Sequence, residues 1–593
     1  MGEDMSGEQK RYLEGFASGI NIGRAATGAA PFRTAPTALV VVQQATGPDA
    51  AALNAQAGTE ASGKKLVDQE KWKRAEHPFD AYARLRQQAT DKAYPKPDDN
   101  FRWRYHGLFY VAPAQDSYML RVRIANGILS AAQMQGMAAI AETHGGGYAH
   151  ITTRANLQVR EIKAEDAVAV IEAVMDTGLT SRGSGADNIR NVTGSPTAGI
   201  DAQELCDTRP LARQFHFHVL NDRSLYGLPR KFNVGFDGGG VVPVLEETND
   251  IGFQAVQVSG ENDGIAPGLY CRLLLGGISG HRDLARDTGI ICRPQDCTPL
   301  ADAILRVFIE HGDRNNRLKA RLKYVLDAWG FDKFLDAVEA RLDQKLIRVA
   351  SARISPRPLF DKQAHIGVHP QKQAGLNWIG IVVPVGRLTA EQMRGLAQVS
   401  SQFGDADIRL TVWQNLLLSG VADAQVAAAT AAIEALGLAI SAHAIRAGLV
   451  ACTGSKGCKF AAADTKGHAL EIASHVEARL AFTQPVNVHL TGCHHSCAQH
   501  YIGDIGLIGA RVSINGEGDT VEGYDLVVGG GFADNARIGR SLLEKVKAEE
   551  CPALVERILG AWLAHRTDAS ETFASFANRH DVAALKTMMG DGA

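Results

Sequence analysis

Cysteine is scarce in this chain of 593 residues: nine in all, an odd number and too few for a disulfide framework. No apolar run approaches the ~18 residues that a membrane-spanning helix requires; the longest, such as residues 38–42, are far shorter. The opening segment, MGEDMSGEQKRYLEGF, is charged and has none of the apolar stretch of a secretory signal. Neither sign of charge dominates, with 62 Lys and Arg against 65 Asp and Glu and a formal total of −3. That balance argues against a surface built wholesale for nucleic acid and leaves room for a local basic pocket. Together these absences predict a reduced, cytoplasmic protein with neither a membrane nor a nucleic acid as partner. What is present is ordinary for a globular chain, 45% hydrophobic and 21% charged residues, long enough for roughly four compact units.

Residues 24–64 are rich in Ala, Gly, Thr and Pro and read as an extended arm or linker. Within them Gly58-Thr-Glu-Ala-Ser-Gly63-Lys64 imitates a phosphate-binding loop. Lys65 follows where the Ser or Thr hydroxyl for magnesium is needed, so the likeness is set aside. The glycine clusters Gly183-Ser-Gly185 and Gly529-Gly-Gly531 give no dinucleotide fingerprint either, so a flavin or nicotinamide domain is not expected.

The chain repeats itself. Residues 119–178 superpose on 378–437 at an offset of 259, which carries Gln133-Met134 onto Gln392-Met393 and Asn156 onto Asn415. Ser130 with Gln133, and Thr389 with Gln392, have capping-box spacing. Each copy is predicted to run strand (118–124; 378–383), helix, strand (150–159; 408–418), helix (165–177; 424–436), with Gly178 and Gly437 as helix stops. Thr193-Gly-Ser195 recurs as Thr453-Gly-Ser455 at an offset of 260, so each repeat leads into a larger domain. Arginine (Arg190) precedes the first of these motifs and cysteine (Cys452) the second, which implies diverged chemistry on a duplicated scaffold.

Five cysteines, Cys206, Cys271, Cys292, Cys297 and Cys551, are scattered and read as small buried hydrophobes. The other four form two close pairs, Cys452-Thr-Gly-Ser-Lys-Gly-Cys458 and Cys493-His-His-Ser-Cys497. Unrelated thiols, a tetrahedral zinc site and a cubane iron–sulfur cluster all remain open. Structural zinc sites usually place two to four residues within each pair, and the first pair here has five. Long Gly-rich loops suit the wider cluster better.

Cys-x5-Cys followed by Thr-Gly-Cys-x3-Cys resembles the siroheme-containing assimilatory nitrite and sulfite reductases, and the likeness extends from about Lys71 onward. The resemblance implies an α+β fold in which two half ferredoxin-like domains pack about a pseudo-twofold axis. Two larger α/β domains would then hold siroheme beside a [4Fe–4S] cluster. The expected divisions are 1–70 (arm), 71–186 (first half-domain), 187–345 (first large domain), 346–446 (second half-domain) and 447–593 (second large domain). By the same likeness Cys452, Cys458, Cys493 and Cys497 ligate the cluster, and Cys497 also bridges to the siroheme iron. His494-His495 stands where many relatives carry Pro-Asn, so hydrogen bonding to the cluster would differ.

A carboxylate-rich tetrapyrrole and a small oxyanion call for fixed cations, and the planar fork of Arg suits both. Period-two alternation puts Arg121 and Arg123 on one face of an apolar strand, where an unpaired charge is costly. The resemblance assigns Arg121, Arg190 and Lys231 to the bound anion, and Arg154 and Arg230 to cofactor carboxylates. Arg123 and Gln158 belong to the same strands and are expected at the cofactor. Sulfite reductases of this family resemble Lys-x-Lys where this chain reads Lys231-Phe-Asn233, and one positive charge fewer suits monoanionic nitrite. The expected activity is assimilatory six-electron reduction of nitrite to ammonium, with electrons from a separate small carrier such as ferredoxin. Sulfite reduction on the same scaffold is the nearest alternative. A relative acting on precorrins and a non-catalytic iron–sulfur or zinc module stand further off.

Overall fold

A computed structural model describes residues 45–260, 264–515 and 518–590. In chain order, the first repeat holds β1 (Leu108–Tyr110), β2 (Tyr118–Arg121), β3 (Ile128–Ser130), β4 (Tyr148–Ile151) and β5 (Leu157–Ile162). The first large domain holds β6 (Thr193–Gly194), β7 (Val234–Asp237), β8 (Ile251–Val258), β9 (Gly268–Leu275), β10 (Arg286–Cys292) and β11 (Ile347–Arg348). The second repeat adds β12 (Gly367–Pro370), β13 (Leu376–Ile381), β14 (Arg387–Thr389), β15 (Asp407–Leu410) and β16 (Leu416–Ala422). The second large domain adds β17 (Leu449–Ala451), β18 (Val488–Thr491), β19 (Ile505–Ser513), β20 (Thr520–Val528) and β21 (Arg540–Lys547). The fold is α+β.

The two repeats are not merely adjacent: they exchange a strand. One sheet runs β1-β2-β5-β4-β14 and its counterpart β12-β13-β16-β15-β3. Thr389 pairs with Tyr148 and Ser130 with Asp407, the same contact at the offset of the repeat. Immediately after each exchanged strand a helix begins, Ala131–His144 or Ala390–Phe403, and each has its capping box in full. Gly136 and Gly395 sit at matching places in these helices. A Cβ on either would come within 2.4 Å of Thr177 or 2.3 Å of Leu436, so glycine lets the second helix of each repeat lie close. Met134, Met137, Met393 and Leu396 share one core with both sheets, each contributing about 2–3 kcal/mol by burial.

The predicted long strands over 150–159 and 408–418 are hairpins. The Thr152 N–H donates to Asn156 O (3.0 Å) and Thr411 N–H to Asn415 O (2.9 Å), while Ala155 (φ +46°) and Gln414 (φ +62°) turn the chain through the left-handed region. Neither turn contains Gly or Pro, so the sequence carries no punctuation there. The arm is also corrected in part. Residues 50–61 form a helix whose Ala51 and Ala52 pack on the core of the first large domain, and Gln56 is buried against Glu70 (2.9 Å). Residues 24–44 lie outside the described residues.

The large domains share a plan. Strands β6, β7 and β8 are parallel and β9 and β10 antiparallel; β17, β18 and β19 are parallel and β20 and β21 antiparallel. Helices Thr208–Asn221 and Thr465–Glu477 open on Asp207 and Asp464, each accepting a backbone N–H. Among the described residues no helix is long and apolar enough to cross a membrane.

Candidate functional site

Parallel pairing of β17 with β18 brings Cys452 and Cys493 together, because both follow the C-terminal ends of neighbouring strands. The Cys452 N–H donates to Leu490 O (3.0 Å), and the Gly492 N–H donates to Cys452 Sγ (3.1 Å). Gly492 passes close to Gly509 of β19, and a Cβ on Gly492 would meet Ala461 of the cysteine loop at 2.5 Å. Burial, and then Cys497, Cys452 and Cys458, push the Cys493 thiol up to about 12. The Cys497 thiol is raised by burial and by Cys452 and Cys458, and drawn down by Lys231 and Arg121. All four sulfurs therefore share one locality. Cys497 is open to solvent although surrounding protein dominates its acidity, as expected for a residue on the wall of a deep cleft. A cation, a hydrogen-bond donor or a metal favours thiolate over thiol, and four sulfurs converging in one place fit the soft-ligand chemistry of an iron–sulfur cluster.

Across this cleft lies one edge of the first large domain. Arg190 precedes β6, and Lys231 and Asn233 precede β7; the strands are parallel, so their starts align. Arg190 grips the preceding loop, its Nη1 and Nη2 donating to Ser184 O and Ala186 O (both 2.7 Å), and its buried Nε has no partner. Among the described residues Lys231 makes no hydrogen bond or ion pair; burial, and then Arg321, bring its ammonium down to about 7. The Asn233 N–H donates to Asp250 Oδ2 (2.8 Å), and its side-chain oxygen is buried without a partner. Arg121, the last residue of β2, lies opposite Gln158 of β5; with the Gln158 amide oxygen inward it accepts from Arg121 Nε (3.2 Å) and Nη2 (3.0 Å). The Phe109 ring lies 4.7 Å beneath the Arg121 guanidinium, and burial brings its pKa to about 10. None of Arg121, Arg190 and Lys231 has a carboxylate partner, so the cleft holds uncompensated positive charge.

Asp187 is the counterweight behind the wall. It is fully buried, takes both nitrogens of Arg317 (2.8 and 2.7 Å), and stands 3.8 Å from Lys73 and 3.9 Å from Arg230. These cations overcome the cost of burial and hold its carboxyl at about 2.

Two expected residues are placed differently. Arg123 lies beyond the end of β2, in an isolated bridge with Thr180. It is 1% exposed and donates through Nη1 to Gly183 O (3.2 Å) and Ile189 O (2.6 Å), while its Nε and Nη2 are buried without a partner. Arg154 is largely satisfied by protein. Its N–H groups reach Asn191 O (3.2 and 2.7 Å), Asn249 Oδ1 (2.7 Å) and Val234 O (3.2 Å), leaving one Nη1 hydrogen uncommitted. It staples the starts of three strands together. The scattered cysteines also regroup, with Cys292 Sγ 3.6 Å from Cys297 Sγ.

Sequence reasoning passed over Arg160 and Lys466. Arg160, 3% exposed, donates to Gly457 O (2.8 Å) and Thr453 Oγ1 (2.9 Å), binding β5 of the first repeat to the loop between Cys452 and Cys458. Its signal was available, since it is a cation two positions from Gln158 and so on the same side of the strand. Lys466, brought to about 7 by burial with Cys452 opposing, donates to Ala451 O (3.4 Å) beside Cys452. Thr153 Oγ1 donates to Cys497 O (2.8 Å), a second tie across the repeats. A separate cavity of about 1040 Å³, between helix Ala50–Ala61 and Trp329, contains none of these residues.

Thiols gathered on one side and cations without carboxylate partners among the described residues on the other fit an iron–sulfur oxidoreductase. Comparison with known proteins gives the particular family. The profile of the nitrite and sulphite reductase 4Fe-4S domain matches residues 185–346 and 444–581. That of the nitrite/sulfite reductase ferredoxin-like half domain matches 112–176 and 369–436. The ferredoxin–nitrite reductase of Leptolyngbya laminosa is 37% identical over 486 residues, covering 81% of this chain and 92% of that protein. The chloroplastic enzyme of that name from Zea mays is 33% identical over 492 residues, covering 80% and 84%. The solved structure of the Mycobacterium tuberculosis NirA protein superposes with a TM-score of 0.81 at 28% identity, covering 89% of this chain and 99% of that one. The chain belongs to the nitrite and sulphite reductase family.

Proposed function

We propose that the protein reduces nitrite to ammonium with six electrons delivered one at a time by a reduced ferredoxin. Cys452, Cys458, Cys493 and Cys497 would hold a [4Fe–4S] cluster, and siroheme would be held in the cleft beside Cys497. When bound, the two cofactors would supply the redox chemistry. Arg121, Arg190 and Lys231 would attract and orient the anion, and the Asn233 side chain would donate to one of its oxygens through Nδ2–H. As negative charge develops on those oxygens, the fixed cations stabilise it without reorganising. Gln158 and Phe109 keep Arg121 in place, and Asp187, behind the cleft, anchors Arg317. Arg230, 25% exposed in its side chain, and the remaining Nη1 hydrogen of Arg154 are available to cofactor carboxylates. Arg160 and Lys466 offset the charge of the cluster thiolates.

The observation that carries this reading is the single cleft in which Cys497 feels both Lys231 and Arg121. Charge selects the substrate: one ammonium beside a neutral Asn233 matches a monoanion. Purified protein reduced with a viologen should form ammonium from nitrite faster than sulfide from sulfite, and Asn233→Lys should move the ratio toward sulfite. Faster sulfide formation by the unaltered protein would overturn the choice of nitrite.

A further inference from the structure

The loop between the last two cluster cysteines carries a side chain that the proposed chemistry leaves unused. His495 Nδ1 lies 3.3 Å from Cys493 Sγ. The backbone N–H of the same residue also draws the Cys493 thiol down. The imidazole is held from its other sides. The ring of His494 is 4.4 Å away, that of Phe460 5.3 Å away at a steep angle, and Gly280 of the first large domain comes close to the His495 carbonyl (3.3 Å from a Cβ placed there). In the conformation these neighbours accompany, a ring nitrogen of His495 faces a sulfur ligand.

We infer that His495 is a positioning residue for the redox centre, donating a hydrogen bond from Nδ1–H to the Cys493 thiolate and raising the cluster's reduction potential. This rests on the cluster ligation proposed above. A coordinated thiolate carries no proton, so it can only accept, and the contact requires the imidazole tautomer with hydrogen on Nδ1. Hydrogen bonds to cluster sulfurs stabilise the more negative, reduced form and move the potential upward. A second donor from the same residue therefore makes the cluster easier to reduce by the incoming carrier. His494 has no contact with a cysteine sulfur and serves as the internal control.

The test is a redox titration of the holoenzyme followed by electron paramagnetic resonance, in unaltered protein, His495→Phe and His494→Phe. His495→Phe keeps the ring and the backbone N–H and removes only the Nδ1 donor. A lower cluster midpoint potential in His495→Phe, with His494→Phe unshifted, is the expected result. No shift at full cluster content, or equal shifts in both variants, would overturn the inference. Should His495→Phe lose its cluster, unaltered protein with 15N confined to the histidine ring nitrogens decides the matter. The reduced cluster should show a weak ring-nitrogen coupling, and its absence would defeat the proposal. Unaltered protein without any cluster signal would instead defeat the ligand assignment on which it rests.

Discussion

Single residues in the cleft owe their chemistry to burial without partners. Lys231 is the case that reaches the neutral range, its ammonium lowered from 10.5 to about 7 because burial and Arg321 both oppose the charge. It is cationic below that value and neutral above it. The KM for nitrite should therefore rise between pH 6 and pH 8, and Lys231→Met should have a high KM that no longer changes over that range. Asp187 behaves oppositely. Its folded value of about 2 lies below the ordinary 3.8, so its contribution to stability is full above 3.8 and is lost as pH falls through about 2. Asp187→Asn leaves the half-buried Arg317 without its carboxylate, which should cost about 2–3 kcal/mol in denaturant unfolding at pH 7. Arg121 was readable from sequence because a charge in an apolar strand needs an explanation. Arg123 and Arg154 were not, since whether a guanidinium meets a distant carbonyl depends on tertiary approach that no local pattern records.

Elements form where local signals agree. Ser130 and Thr389 cap the equivalent helices Ala131–His144 and Ala390–Phe403 with the same reciprocal bonds. Ser130→Ala and Thr389→Ala should each lower stability by about 1 kcal/mol, and near-equal losses in thermal unfolding are expected because the two sites repeat each other. These helices, their caps and their glycine stops could be read directly, and Gly178 and Gly437 do take left-handed values of φ, +79° and +71°. The hairpins at Ala155 and Gln414 could not. A turn stabilised by Thr–Asn backbone pairing, with Ala or Gln in the left-handed position, lacks the Gly or Pro by which turns are recognised. Helix Ala50–Ala61 was missed for another reason: its sequence is mostly small residues, and its order comes from packing on the first large domain.

For the whole molecule, the site exists only where distant parts meet. Arg160 comes from the first repeat, yet it holds the loop of the cluster domain through Gly457 and Thr453. Arg160→Ala should therefore lower the iron and acid-labile sulfide retained per chain while circular dichroism stays unchanged; full retention would count against this tie. The duplication and the division of labour between arginine and cysteine were visible in the sequence. The exchange of β3 and β14 was not, because alternation of apolar residues shows that a strand has a buried face without showing which sheet receives it.

That exchange also sets the order of events when the chain is made. The partners Tyr148 and Thr389, and Ser130 and Asp407, are separated by roughly 240 to 280 residues, which a ribosome adding about 5–20 residues per second takes tens of seconds to supply. Until then the first sheet lacks its last strand and presents β4 as an open edge, the kind of surface that invites unwanted pairing. The nascent first half is thus a client for chaperones throughout that interval, and it completes itself only when its own echo emerges.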